Sequence, residues 1–130
     1  MTFYQEQILK IKADIYSKEY LCVQVIQSKR FIEKEFSRNI NLDNIANEAF
    51  LSKFHFIRLF KTLYGRTPYQ YLKEVRIDRA KSFLIAGMTV KEVCISVGFD
   101  SISSFAGLFK RATGSSPVVF QNNKKAILKN

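Results

Sequence analysis

The sequence has no tryptophan, one histidine, two cysteines, two prolines and five glycines in 130 residues. So few prolines and glycines exclude a disordered or loop-rich scaffold. Cys22 and Cys94 stand in apolar surroundings without CxxC spacing. That favours two small buried hydrophobes in a reducing compartment over a disulfide or a metal site. His55 has no second His or Cys at ligand spacing, so no metal is expected. No nucleophile–base pair or phosphate-binding loop is present either, so neither an enzyme nor a cofactor is expected. No signal peptide and no apolar run of about 18 residues occurs, so the reading is a soluble, cytoplasmic protein outside the membrane. Strand-period alternation is absent, which leaves an all-α fold. Acidic residues are scarce: 11 against 21 Lys and Arg, a formal charge of +10. In so short a chain that excess calls for a polyanion, either nucleic acid or an anionic membrane surface.

What is present is a core. Apolar residues make up 47% of the chain, with twelve phenylalanines among them. The length allows one domain or two very small ones. Residues 1–20 read as an amphipathic helical extension, with Phe3, Tyr4, Ile8, Ile11 and Ile15 at roughly helical spacing. Lys10, Lys12 and Lys18 are balanced by Glu6, Asp14 and Glu19. Such a helix can pack on the domain, pair with a second chain as a homodimer, or link to something else; the charge balance disfavours a membrane surface. Helix continues through 21–37, with Val25, Ile26, Phe31, Ile32 and Phe36 as core candidates. After a polar break, a short helix over 44–50 turns Ile45, Ala46 and Ala49 inward, and Leu51 and Ser52 make a tight connection.

The stretch Ser52 to Gly65, S-K-F-H-F-I-R-L-F-K-T-L-Y-G, carries helix signals at both ends. Ser52 is a good N-cap, Gly65 stands where a helix ends in a left-handed residue, and Pro68 follows. Phe56, Leu59, Phe60 and Leu63 form the predicted buried stripe. The other face offers Lys53, Phe54, Ile57, Arg58, Lys61 and Thr62, a basic surface that fits a DNA major groove. Pro68 then opens a long helix to about Ala86, with Tyr71, Leu72, Val75, Ala80, Phe83 and Leu84 apolar and Gly87 ending it. Thr89 caps a helix over 90–97, Gly98 makes a turn, and Ser101 to Thr113 is helix again before Gly114. Pro117 opens a last turn through Phe120, and 122–130 is a polar, frayed tail.

The chain repeats itself. A shift of 49 carries Phe50 onto Phe99, Ser52 onto Ser101, Phe56 onto Phe105, Phe60-Lys61 onto Phe109-Lys110, Gly65 onto Gly114 and Pro68 onto Pro117. Earlier in the unit the better shift is 48, with Ile45 on Val93 and Ala46 on Cys94, so the second unit has one extra residue near Gly98. Each unit is a short helix, a tight turn, a longer helix and Gly-x-x-Pro. That is a helix-turn-helix in tandem. The division expected is 1–20 extension, 21–67 first helix-turn-helix subdomain, 68–86 linker helix, 87–121 second subdomain and 122–130 tail. A linker of about 19 residues spans about 28 Å. Successive major grooves on one side of B-DNA lie about 34 Å apart, so one chain could place two recognition helices in adjacent grooves, with bending of the duplex.

From about Ser28 to Gln121 the sequence resembles the DNA-binding domain of the AraC/XylS transcriptional regulators. The carrying residues are L-D-N-I-A, L-S-x-x-x-F-x-R-L-F-K-x-x-x-G-x-T-P-x-x-Y-L, R-I-D-R-A-K-x-x-L, and in the second unit V-x-E-V-C-x-x-V-G-F-D-S-x-S-x-F-x-x-x-F-K-R-x-T-G-x-S-P. The resemblance implies two helix-turn-helix units bridged by a long helix, and sequence-specific binding of double-stranded promoter DNA that recruits RNA polymerase, usually as an activator. It implies base contacts from Phe54, Ile57 and Arg58, with Arg58 bidentate to a guanine and Phe54 and Ile57 on thymine methyls; a core role for Phe54 is the alternative. In the second unit the matching positions are Ile102, Ser103, Ser104, Ala106 and Gly107, which lack any long polar side chain. The second unit is therefore expected to read weakly or by shape. Lys53, Lys61, Thr62, Arg66, Ser101, Lys110 and Arg111 are the candidate phosphate contacts. Arg76 matches an arginine of the family's linker helix and is read as an internal ion pair with an acid such as Asp100, in preference to a DNA contact. The chain leaves no room for the ligand-sensing domain of most relatives, so it reads as a short member of the MarA and SoxS type or a piece of a longer regulator. A protein-interaction adaptor or antagonist that keeps the fold and binds little DNA is the competing reading, suggested by the bland second recognition helix.

Overall fold

The computed structural model describes residues 2–48 and 52–129, with the side chains of 13–17, 48, 128 and 129 left aside. Seven helices and no strand occur among the described residues: α1 (Phe3–Glu35), α2 (Leu42–Glu48), α3 (Lys53–Tyr64), α4 (Pro68–Ile85), α5 (Val90–Ser96), α6 (Ile102–Thr113) and α7 (Pro117–Lys129). The chain forms two compact units: residues 1–31 with 41–68, and residues 32–40 with 69–130.

In the first unit Val25, Ser28, Ile45, Ala46, Phe56 and Phe60 are buried. Ser28 donates its hydroxyl to the Val25 carbonyl at 2.6 Å, which allows a polar group on the inner face of α1. α2 begins at Leu42, two residues before the expected start, because Asn41 and Asn44 cap it reciprocally. The Asn44 amide donates to Asn41 Oδ1 at 2.8 Å, and the Asn41 amide to Asn44 Oδ1 at 3.0 Å. Ala49, Phe50 and Leu51 lie outside the described residues, as does the side chain of Ile15.

Two core expectations fail in this unit. Leu63 is 43% exposed and Ile26 is 40% exposed. Tyr64 takes the inward place at the end of α3, its ring 4.9 Å from that of Phe60, with Lys29 Nζ 5.4 Å from its centroid. Val25 already fills the inner face of α1, which turns its neighbour Ile26 outward. Phe3, Tyr4 and Ile11 are exposed too.

In the second unit Ile77, Ala80, Leu84, Val93, Cys94, Val97, Phe105 and Phe109 form the core, with Phe36, Phe83, Phe99 and Phe120 packed on it. Removing one of the valine, leucine, isoleucine or phenylalanine side chains from water is worth about 1.5–3 kcal/mol. Residues 36–38, just past α1, are held here. Arg76 donates Nε to the Phe36 carbonyl and Nη2 to the Arg38 carbonyl, both at 2.9 Å, and lies 5.5 Å from the Phe99 ring centroid. Burial lowers its pKa, while Tyr69 and Asp100 oppose that. The expected ion pair of Arg76 is thus corrected: carbonyl oxygens hold the guanidinium, and Asp100 contributes through its charge. Tyr71 donates to Glu33 Oε1 at 2.5 Å. The expected frayed tail is helical through Lys129. Nothing between Val118 and Lys129 breaks a helix, and Gln121 anchors its start by donating to the Leu84 and Met88 carbonyls at 2.9 and 2.7 Å.

Candidate nucleic-acid interface

α3 and α6 are built alike. Ser52 and Ser101 cap them, accepting from the amides of His55 at 3.4 Å and Ser104 at 3.0 Å. Gly65 and Gly114 end them in left-handed backbone, each amide returning to the carbonyl of Lys61 or Lys110. Phe56 and Phe60 in one, and Phe105 and Phe109 in the other, are fully buried with ring centroids 5.8 Å apart in both pairs. Four anchored rings and two matched caps fix which side of each helix is left to face outward.

On α3 that side holds Phe54, Arg58 and Lys61, all exposed. Phe54 is 78% exposed, which removes the core alternative for it. Ile57 is half-buried on the flank. Thr62 is exposed, but its hydroxyl donates to the Arg58 carbonyl at 2.8 Å. Lys53 is exposed and lies 3.7 Å from Asp43 of α2. Arg66, past the helix end, is half-buried. His55, to which the sequence assigns no role, is exposed on the first turn.

On α6, Ile102, Ser103 and Ser104 are exposed, while Ala106 and Gly107 are half-buried. Ser101 Oγ lies 3.2 Å from Ser103 Oγ and donates to Ser104 Oγ at 3.1 Å, so the three hydroxyls form one polar cluster at the helix start. Lys110 and Arg111 are exposed in the last turn. A methyl group built on Gly107 would meet Arg111 Nη1 at 3.5 Å. That proximity was not legible in the sequence, where residues 107 and 111 read as separate features. Neither α3 nor α6 contains an aspartate or glutamate. Among the described residues no helix is long and apolar enough to cross a membrane.

Two capped helices with acid-free outer faces, each preceded by a short helix, define a tandem helix-turn-helix DNA-binding protein. A family model described as a helix-turn-helix domain matches residues 45–123. The probable transcription factor PqrA of Proteus vulgaris is 32% identical over 97 residues, covering 72% of this chain and 80% of PqrA. The bifunctional transcriptional activator/DNA repair enzyme AdaA of Bacillus subtilis is 32% identical over 96 residues, 73% of this chain and 46% of AdaA. The chain thus spans less than half of AdaA. Among solved structures, the DNA-binding domain of the global transcriptional factor AdpA, in complex with a target DNA, superposes with a TM-score of 0.76 at 27% identity, covering 78% of this chain and 93% of that one. The chain belongs to the AraC/XylS family of transcriptional regulators and is a DNA-binding regulator of that type.

Proposed function

We propose that the chain is a sequence-specific reader of double-stranded promoter DNA that acts as an activator, with α3 reading bases and α6 placed in a neighbouring major groove. The observation that carries this is the pair of matched helices with acid-free outer faces. Phe54, Ile57 and Arg58 supply the base contacts of α3: Arg58 grips the O6 and N7 of a guanine, and the two apolar side chains meet thymine methyls. Ser103, Ser104, Ile102, Ala106 and Gly107 offer the α6 surface. Lys53, Lys61, Thr62, Arg66, Ser101, Lys110 and Arg111 hold phosphates, which sets register and makes the affinity fall with salt.

AarP of Providencia stuartii, 30% identical over 92 residues, is named a transcriptional activator; this supports the sign of regulation. The setting is the cytoplasm. The exposed Phe3, Tyr4 and Ile11 of α1 support a homodimer through residues 1–20, to be checked by the mass of the free protein in solution.

The test is selection of bound duplexes from a random pool, followed by titration of Arg58→Ala. The variant should lose about 1–3 kcal/mol on the selected duplex and relax its preference at one base pair. An equal loss on every duplex would make Arg58 a phosphate contact. Absence of any salt-sensitive binding would favour the adaptor reading.

A further inference from the structure

Gly107 lies in the second turn of α6, where glycine weakens a helix relative to alanine. Its backbone does not require glycine, since it is not among the residues with positive φ. Packing does not require it either. Beyond its own helix backbone, a methyl on Gly107 would meet one side-chain atom within 4 Å, Arg111 Nη1 at 3.5 Å. Arg111 stands one turn further on. Helical side chains lean toward the N-terminus, onto the turn before their own Cα. Here that lean lays the guanidinium beside the bare surface of Gly107.

The internal repeat gives this placement a meaning. The shift of 49 puts Gly107 on Arg58 and Arg111 on Thr62. On α3 the cation is rooted at residue 58, and Thr62 bonds back to its own helix. On α6 the root is one turn later and the side chain reaches back to Gly107, the position whose counterpart on α3 is Arg58. Arg111 is exposed, and α6 holds no acid to draw it elsewhere.

We propose that Arg111 is a base-reading residue of α6, its guanidinium seated at Gly107 and directed to the O6/N7 edge of a guanine in the second half of the DNA site. The inference rests on the reading of α3 and α6 as DNA-contacting helices, and it moves Arg111 from the phosphate contacts to the base contacts. The second unit then reads sequence through a borrowed position.

The test uses the full chain and duplexes selected from a random pool by the unaltered protein. Arg111→Lys keeps the charge but loses the planar fork. Because an ammonium can still donate to O6 or N7, it should keep part of the preference, whereas Arg111→Ala should lose discrimination at one guanine by about 5- to 150-fold, the value of one bidentate contact. Gly107→Leu, which fills the seat and leaves Arg111 in place, should lose preference at the same guanine, with its melting curve confirming that it folds. The proposal is overturned if Arg111→Ala selects the same sequences as the parent. It is equally overturned if Arg111→Ala weakens all duplexes alike and lowers the salt slope by about one, the mark of a phosphate contact. If the unaltered chain shows no salt-sensitive duplex binding, the reading of both helices falls and this inference with it. If Arg58→Ala relaxes one base pair and Arg111→Ala relaxes none, this inference alone fails.

Discussion

Gly98→Ala tests how the turn between α5 and α6 is built. Gly98 has φ +91°, where an L side chain costs about 1–2 kcal/mol. A Cβ there would also lie 2.9 Å from the Ser37 carbonyl oxygen, 3.0 Å from the Phe36 carbonyl oxygen and 3.1 Å from the Ser37 carbonyl carbon. All three are backbone atoms, so no side chain can swing away, and overpacking of this kind adds about 1–3 kcal/mol. The expected loss is about 2–5 kcal/mol in total. Gly87→Ala is the control, because its φ is +97° and nothing lies within 4 Å of its Cβ position. It should cost about 1–2 kcal/mol, the backbone contribution alone. Urea melts of the two variants, followed by far-ultraviolet circular dichroism, give the difference directly. Equal losses would refute the close seating of residues 36–37 on this turn.

Arg76→Lys should cost about 1.5–3 kcal/mol, because an ammonium cannot donate to the Phe36 and Arg38 carbonyls as the planar fork does; combined with Gly98→Ala its effect should be non-additive in the same melts, since both act on the Phe36 carbonyl. Ser101→Ala should destabilise by about 1 kcal/mol and Ser52→Ala by less, as the caps measure 3.0 and 3.4 Å; thermal melts giving the reverse order would contradict the cap geometry. Gly107→Ala should stabilise the protein by up to about 1 kcal/mol and leave the selected DNA sequence unchanged, because its methyl sits at ordinary contact distance from Arg111; a changed selection would show that the guanidinium needs a bare surface.

Local signals made most of the scaffold legible. Ser52, Thr89 and Ser101 marked helix starts, Pro68 and Pro117 first turns, and Gly65 and Gly114 ends, because capping depends on neighbours three or four residues away. The buried phenylalanine pairs were equally plain from helical spacing. The misses share a different cause. Arg76 finds the carbonyls of Phe36 and Arg38 across some forty residues of chain, and no local pattern announces such a pair. Leu63 fits the apolar period of α3, yet Tyr64 takes the inward place. The stretch after Phe120 is polar and aperiodic, so it reads as tail, although nothing in it opposes helix. At the interface the residue types were readable, but the approach of Arg111 to Gly107 depends on a rotamer that a string of letters does not carry.

The division of the chain at residues 31/32 and 40/41 places a segment of nine residues in the second unit although its neighbours on both sides belong to the first. The 49-residue duplication and the two compact units are therefore out of phase. A fragment cut to match the repeat, beginning at residue 69, would contain every helix of the second copy and still lack the carbonyls that hold Arg76 and cover Gly98. In order of synthesis, residues 32–40 also come well before the segment from residue 69 onward with which they pack.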